Sequence, residues 1–463
     1  MASNIWKEKS FPTVKWRSKL VLFFLVIFIS LTVVNFFMPE DFPPHLYNVM
    51  LLVLLAIGFW ITDVFPAFAT SMFVVFYSVY FLEEFSLTSG VSQNWEAYTS
   101  TWASPIIWIL MGGFFISLGM SVTGLDRRIA SLAIKIFGTN PRIFLLGMML
   151  LTIVFSIAIS NTATAALMIA VVTPLINRLG KQATYNKSIV LGVAFAATFG
   201  GLTTIPGSPV NAIAAEATRA QGETISYMQW FGIGMPLCLF FTLLAWIILS
   251  LIYKPKINSV PKIESNTDSK LPSNKEWVVI FTLLVTISLW LTTSQTGIPV
   301  AAVSFIPMMI LSISGIIQQQ HLKSISWETL LLVAGGLTLG VAASNTGLLD
   351  YAAAKINLPE QKITALIFMS YITVLLSNFM SSTATASILV PLVNTILPGD
   401  VVLVSMATAM CCSLGVLLPI STPPNAIALS TGVVKAKDFS VIGLVAIVLG
   451  PPVICYSLYF WLT

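Results

Sequence analysis

Ser160-Asn161-Thr162-Ala163-Thr164-Ala165 and Ser381-Ser382-Thr383-Ala384-Thr385-Ala386 are one hexapeptide written twice, with a single exchange of Asn161 for Ser382. Each copy lies in the middle of a long apolar stretch, 143–177 and 363–397, that is polar or basic at both ends. A membrane helix that must turn back halfway reads this way. The expectation is two re-entrant hairpins whose tips are buried in protein, since loose backbone facing lipid leaves N–H and C=O groups unpaired.

Outward from the two tips, more of the chain repeats. Gly112-Gly113 followed by Ser121, Thr123, Gly124 and Leu125 returns with the same spacing as Gly335-Gly336, Ser344, Thr346, Gly347 and Leu348. Beyond the tips, Pro206-Gly207-Ser208-Pro209-Val210-Asn211-Ala212-Ile213-Ala214 pairs with Thr422-Pro423-Pro424-Asn425-Ala426-Ile427-Ala428. Three blocks matched in one order indicate an internal duplication. Pro and Gly within 188–215 and 401–431 (Gly200, Gly201, Pro206, Gly207 and Pro209; Pro419, Pro423 and Pro424) mark two helices expected to break at membrane depth.

Composition agrees. Of 463 residues, 57% are hydrophobic and 9% charged, and the mean hydropathy is +0.91, whereas a soluble domain carries about 25% charged residues. A cytosolic enzyme, a secreted disulfide scaffold and a disordered chain are excluded. The net charge of +5 does not indicate a nucleic-acid partner, because the basic residues lie in short loops between spans. Spans are expected near 20–38, 46–62, 66–82, 104–123, 188–215, 230–252, 277–295, 298–317, 328–346, 401–431 and 440–462. The fold class is therefore an all-α polytopic membrane protein with about 11 transmembrane helices and two hairpins. Its organisation is a cytoplasmic segment 1–19, a first half 20–253 whose repeat starts near 46, a cytoplasmic linker 254–276 and a second half 277–463.

With the N-terminus in the cytoplasm and the C-terminus outside, 20 of the 23 basic residues fall inside and only Arg219, Lys355 and Lys362 outside, as the positive-inside rule requires. Treating either hairpin as a simple span reverses everything after it and destroys this asymmetry. On the same map the first hairpin enters from the cytoplasm and the second from outside, so the repeat is inverted. Inverted repeats with broken helices at the midplane are the architecture of secondary transporters.

No Asp, Glu, His, Lys or Arg lies in either hairpin core or either break. Proton carriers use such groups inside the membrane, and so do acid/base enzymes, so neither activity is expected. What remains are hydroxyls, carboxamides, freed backbone groups and helix N-termini. Helix N-termini suit an anion, and neutral oxygens suit Na+ beside it. Taken singly, a Ser/Thr cluster in a membrane helix is most often packing glue; duplication at re-entrant tips followed by Pro/Gly breaks favours a binding role. The simpler reading holds elsewhere: Cys238, Cys411, Cys412 and Cys455 as small core residues, His45 and His321 without metal-ligand spacing, Asp63 as a membrane-surface residue, and Trp, Phe and Met as lipid-facing or interface belt.

Trp60-Ile61-Thr62-Asp63-Val64-Phe65-Pro66, the two tips and Thr422-Pro423-Pro424-Asn425 together resemble the divalent anion/sodium symporters, the INDY-like dicarboxylate transporters, over nearly the whole chain. The resemblance implies a plasma- or inner-membrane homodimer in which each protomer has a fixed scaffold domain and a transport domain moving as an elevator. It implies four- to six-carbon di- and tricarboxylate substrates such as succinate, malate, fumarate, 2-oxoglutarate or citrate, with sulfate for some members, and no cofactor beyond a coupling sodium ion. Carried over by position, Ser160, Asn161 and Thr162 would hold one carboxylate and Ser381, Ser382 and Thr383 the other, with Pro209 and Pro423 at the breaks. A first sodium site would use Ser156, Ser160, Asn161 and carbonyls near Gly207; a second would use Ser377, Ser382 and carbonyls near Ser421. Ser382 stands where the family has Asn, and Ser421 where Gly or Ala is common. The shorter reach of Ser382 weakens the second cation site and leans toward exchange of dicarboxylates, with sodium symport as the alternative and an anion channel as a third reading.

Overall fold

The structure, a computed structural model, describes residues 16–39, 42–82, 95–129, 137–180, 184–255, 257, 259–260, 272–355, 358–359, 361–419 and 421–462. Most of the expected cytoplasmic segment 1–19 and of the linker 254–276 lies outside them.

In the first half, α1 (Trp16–Thr32) and α2 (Tyr47–Thr62) lead into a corner. Asp63 closes α2 in the left-handed region at φ 49°, and Trp60 Nε1 donates to Ala67 O (3.3 Å) across the turn into α3 (Ala67–Tyr77). The exposed Asp63 thus has a backbone role at the surface. α4 (Pro105–Thr123) begins with Ser104 accepting from Ile106 N and with Pro105 at its first position, and it stops at Gly124, φ 76°, the usual asymmetry of helix ends. α5 (Pro141–Ala158), α6 (Asn161–Leu179), α7 (Thr184–Gly200), α8 (Pro209–Ala220) and α9 (Tyr227–Ile252) complete this half. The second half holds α10 (Asn274–Leu291), a single turn Val300–Val303 running into α11 (Phe305–Ile313), α12 (Trp327–Asn345) and the short α13 (Leu348–Lys355). α14 (Lys362–Phe379), α15 (Ser382–Ile396), α16 (Val401–Cys412), α17 (Pro423–Ser430) and α18 (Ser440–Leu462) follow.

Among the described residues, ten helices are long and apolar enough to cross a bilayer. Three of these (α5, α6 and α14) are hairpin limbs by sequence. The expected spans at 66–82 and 298–317 appear as shorter apolar helices, and those at 188–215 and 401–431 as broken pairs, which reconciles ten long helices with eleven expected spans.

Hydrogen bonds to α7 fix the path of α5 and α6. Tyr185, at the start of α7, donates to Pro141 O at the start of α5 (2.6 Å), and Asn186 beside it donates to Ile176 O (3.3 Å) and Gly180 O (2.8 Å) at the end of α6. The two limbs therefore begin and end at the same end of α7. Their junction lies at the other end, where Ser156 Oγ donates to Ala197 O (2.8 Å). A limb of 18 residues is about 27 Å long and could have crossed; these contacts make it turn back. α14 and α15 repeat the pattern against α16: Lys362 pairs with Asp400 and Asn394 with Ser405 (2.7 Å) at the base, and Ser377 Oγ donates to Cys412 O at the tip.

Both hairpins pack with α7–α9 and α16–α18, while α3 packs on α12 and α11 on α4. α4 and α12 therefore each lie between a helix of the opposite repeat and the hairpin assembly. The aromatic and Met residues divide. Phe24 and Phe28 on α1 are exposed, in keeping with a lipid-facing belt, but Trp230, Phe195, Phe199, Met148, Met149 and Met168 are fully buried. That corrects the belt reading for α5–α7 and α9, where Trp230 Nε1 caps Leu202 O (3.0 Å), a carbonyl freed by the break.

The two halves are also tied by Asp438, which accepts from Lys187 Nζ (2.9 Å), Tyr253 OH (3.0 Å) and Lys435 N (2.7 Å). Asp438→Asn removes the charge facing a half-buried lysine. It is expected to cost about 1–3 kcal/mol, read as a lower melting temperature in detergent with substrate affinity unchanged.

Candidate functional site

Four helix N-termini meet at one cavity of 660 Å³. α6 starts at Ser160, whose Oγ accepts from Ala163 N (3.4 Å), and α15 at Ser381, whose Oγ accepts from Ala384 N (3.2 Å). The first intrahelical bonds come from Thr164 N and Thr385 N. The N–H groups of Asn161, Thr162, Ser382 and Thr383 precede them and face no helical carbonyl. α8 starts at Ser208 and α17 at Thr422, just past the two breaks. Among the described residues Thr422 Oγ1 is buried without a hydrogen-bond partner, although it lines the cavity. Each N-terminus contributes about half a positive charge, so the cavity attracts an anion without a basic side chain at its centre. Its volume falls in the range of about 300–1,000 Å³ common for small-molecule sites.

The residues expected from sequence come together here. Ser160, Asn161, Thr162, Gly207, Pro209, Ser381, Ser382, Thr383, Ser421 and Pro423 all line the cavity. Ser156 and Ser377 do not; they lie fully buried behind the tips, bonded to the last turns of α7 and α16. Sequence reading missed Thr198 and Ser413, which line the same cavity and return their hydroxyls to Ala194 O (3.1 Å) and Ala409 O (3.5 Å). It also missed Leu110 and Phe114 of α4 and Leu332 of α12, an apolar wall, and Lys323 and Glu328 at the mouth beside the start of α12.

Behind the first tip lies a cluster of oxygens. The inner end of the Asn161 carboxamide is 2.8 Å from Ser156 Oγ, 3.1 Å from Gly207 O and 3.2 Å from Ala197 O. Oxygen at that end would face two carbonyl oxygens and a hydroxyl with one proton among them, so without a cation the contacts favour nitrogen there. With nitrogen there, the amide donates to both carbonyls and closes the same space. Gly201 makes the room, since a Cβ at that position would overlap the carboxamide. Asn211 Nδ2 then holds the break open by donating to Gly201 O and Thr204 O (2.7 Å each).

The second tip differs. Ser382 Oγ lies 3.2 Å from Ser377 Oγ, although Ser377 donates to Cys412 O as Ser156 does to Ala197 O in the first tip. Ser421 Oγ turns to its own backbone at Leu418 O (2.6 Å). Among the described residues Ser382 makes no hydrogen bond to the 413–422 segment, because a serine ends one bond short of where a carboxamide would reach.

A family profile described as the sodium:sulfate symporter transmembrane region matches residues 17–462. The sodium-dependent dicarboxylate transporter SdcS of Staphylococcus saprophyticus is 28% identical, over 92% of this chain and 88% of that protein. Its namesake in Staphylococcus aureus strain MRSA252 is 26% identical, over 98% and 92%. The crystal structure of the Alcanivorax borkumensis YdaH transporter superposes with a TM-score of 0.54 at 13% identity, covering 79% of this chain and 86% of that one, a likeness of fold. With a match that runs from α1 to the end of α18, and with paired tips and broken helices around one cavity, this chain belongs to the sodium:sulfate symporter family of multi-pass membrane transporters.

Proposed function

We propose that the protein is a sodium-coupled carrier of four- to six-carbon dicarboxylates in the cell membrane, with one complete cation site behind the first tip. The observation that carries this reading is the convergence of four helix N-termini on one cavity whose two tips present only neutral hydroxyls and a carboxamide. The names of the staphylococcal relatives support the substrate class and the cation. Tips 160–162 and 381–383 would each hold one carboxylate. A cation among Ser156, Asn161, Ala197 and Gly207 would turn the carboxamide oxygen inward in place of the amide hydrogen bonds and so reset the first tip before the anion arrives. The cavity opens toward Lys323 and Glu328, the cytoplasmic end on the distribution of basic residues. In this reading the hairpins and their packed helices form the moving domain.

Exchange of one dicarboxylate for another is a second reading, favoured by the second tip, where Ser377 and Ser382 bond to each other and a serine stands in the place of Asn161. Uptake of radiolabelled succinate into proteoliposomes, with sodium or choline outside and with or without internal succinate, separates the two. Symport gives uptake only with a sodium gradient; exchange gives uptake in choline when succinate is inside. No saturable uptake in any of the four conditions rejects both. Ser382→Asn returns a carboxamide to the second tip and is expected to steepen the dependence of uptake on sodium concentration, measured in the same vesicles.

A further inference from the structure

The duplicated glycine pairs Gly112-Gly113 and Gly335-Gly336 lie outside the binding site, and three of these four glycines sit where a neighbouring segment leaves no room for a Cβ. On α12, a Cβ at Gly335 would overlap Ser71 of α3, and a Cβ at Gly336 would overlap Ser387 Oγ and Cβ of α15. On α4, a Cβ at Gly112 would come within 2.7 Å of Ser304, which holds the same place after Pro299 as Ser71 does after Pro66. The fourth contact breaks the symmetry. A Cβ at Gly113 would find only Pro206, at an ordinary 3.7 Å. Three contacts are closed and one is open.

The closed Gly336–Ser387 contact lies between two hollows. One turn away, Leu332 and Thr383 line the binding cavity; Gly336 and Ser387 themselves line a separate 560 Å³ crevice that reaches Arg219 and Ser344 at the opposite end of α12. Close apposition of two helices at a glycine excludes anything larger than the glycine's hydrogens.

We propose that Gly336 against Ser387 is the outer seal of the binding site. In the alternate, outward-open state, Gly113 makes the equivalent inner seal against Ala166, the residue that matches Ser387 in the first tip's helix. In an inverted repeat the two access states are related by exchanging the roles of the halves, and the loose contact here is the one that must tighten after the exchange. This inference rests on the alternating-access reading of the function, and its test does not require the substrate to be known.

The test uses full-length protein in proteoliposomes with one reporter cysteine at Leu332→Cys, which lines the present cavity, or at its repeat counterpart Ile109→Cys, which is 5% exposed and lines a second hollow that shares Glu216 and Arg219 with the crevice. The four native cysteines are buried. A membrane-impermeant thiol reagent is applied from one side at a time. Overpacking a close contact shifts a two-state equilibrium by roughly tenfold or more. Gly336→Ala is therefore expected to lower labelling of Leu332→Cys from the cytoplasmic side and raise labelling of Ile109→Cys from outside. Gly113→Ala is expected to do the reverse, and Gly336→Ala with Ser387→Gly to restore the parent pattern. Gly335→Ala, which presses on α3, is expected to lower thermal stability without moving either reporter. The proposal is overturned if Gly113→Ala and Gly336→Ala move labelling in the same direction, or if Gly336→Ala behaves as Gly335→Ala does. Should Gly336→Ala fail to fold, Gly113→Ala decides alone: unchanged or increased outside labelling of Ile109→Cys rejects the exchange. Opposite shifts in a protein that takes up no succinate would leave the seals standing and remove the proposed substrate, whereas succinate uptake with unmoved reporters would do the converse.

Discussion

Asn161→Ala is expected to abolish sodium-dependent uptake. The carboxamide reaches Ser156, Ala197 and Gly207 together, so alanine removes the group that would meet the cation and leaves Gly207 O without its amide donor, while Ala197 O keeps the Ser156 hydroxyl. A buried polar group stranded in this way costs about 1–3 kcal/mol, which corresponds to a loss of roughly tenfold to hundredfold in the occupancy of the ordered tip. Sodium-driven uptake in proteoliposomes measures the loss. A thermal-shift titration with sodium separates a missing cation site from a damaged fold: the variant is expected to melt cooperatively but no longer to gain stability from sodium. Gly201→Ala should reproduce much of the defect without touching the substrate, because its Cβ would overlap the space that the carboxamide fills. Uptake near the parent level in Asn161→Ala would mean that the oxygen cluster is packing only.

Thr383→Asp is expected to remove dicarboxylate binding by at least roughly hundredfold, since a unit negative charge at a few ångströms from a dianion opposes it by several kcal/mol even at an effective dielectric constant of about 20. The position makes the interpretation clean. Thr383 is the second residue of α15, capped by Ser381, and acidic residues are favoured in the first turn of a helix. The helix is thus stabilised by the substitution that repels the ligand. Isothermal titration or substrate-dependent thermal shift reads the affinity. Retained succinate binding in a well-folded Thr383→Asp protein would place the anion elsewhere in the cavity.

The two tips show how far a linear reading goes. Ser160–Thr162 and Ser381–Thr383 were legible because a polar cluster interrupting an apolar run is a local signal, and its duplication is visible without any knowledge of packing. Thr198 and Ser413 were not, because a hydroxyl that back-bonds within its own helix looks like any other threonine or serine in an apolar segment. Trp230 was assigned to the lipid interface on residue type, whereas its indole N–H was required by a carbonyl 28 residues away. The bond from Ser377 to Cys412 O, the counterpart of Ser156 to Ala197 O, was not legible either, because it depends on how α14 lies against α16.

By itself, the sequence determined the membrane class, the inverted duplication, the hairpin tips and the neutral chemistry of the site, because hydropathy, charge asymmetry and repeated motifs are properties of order along the chain. Only the tertiary structure decided which oxygens meet behind Asn161, which residues complete the cavity wall, and which of four equivalent glycine contacts is open. Those depend on the distances between segments far apart in sequence, and a difference of one or two ångströms there separates a closed contact from a loose one.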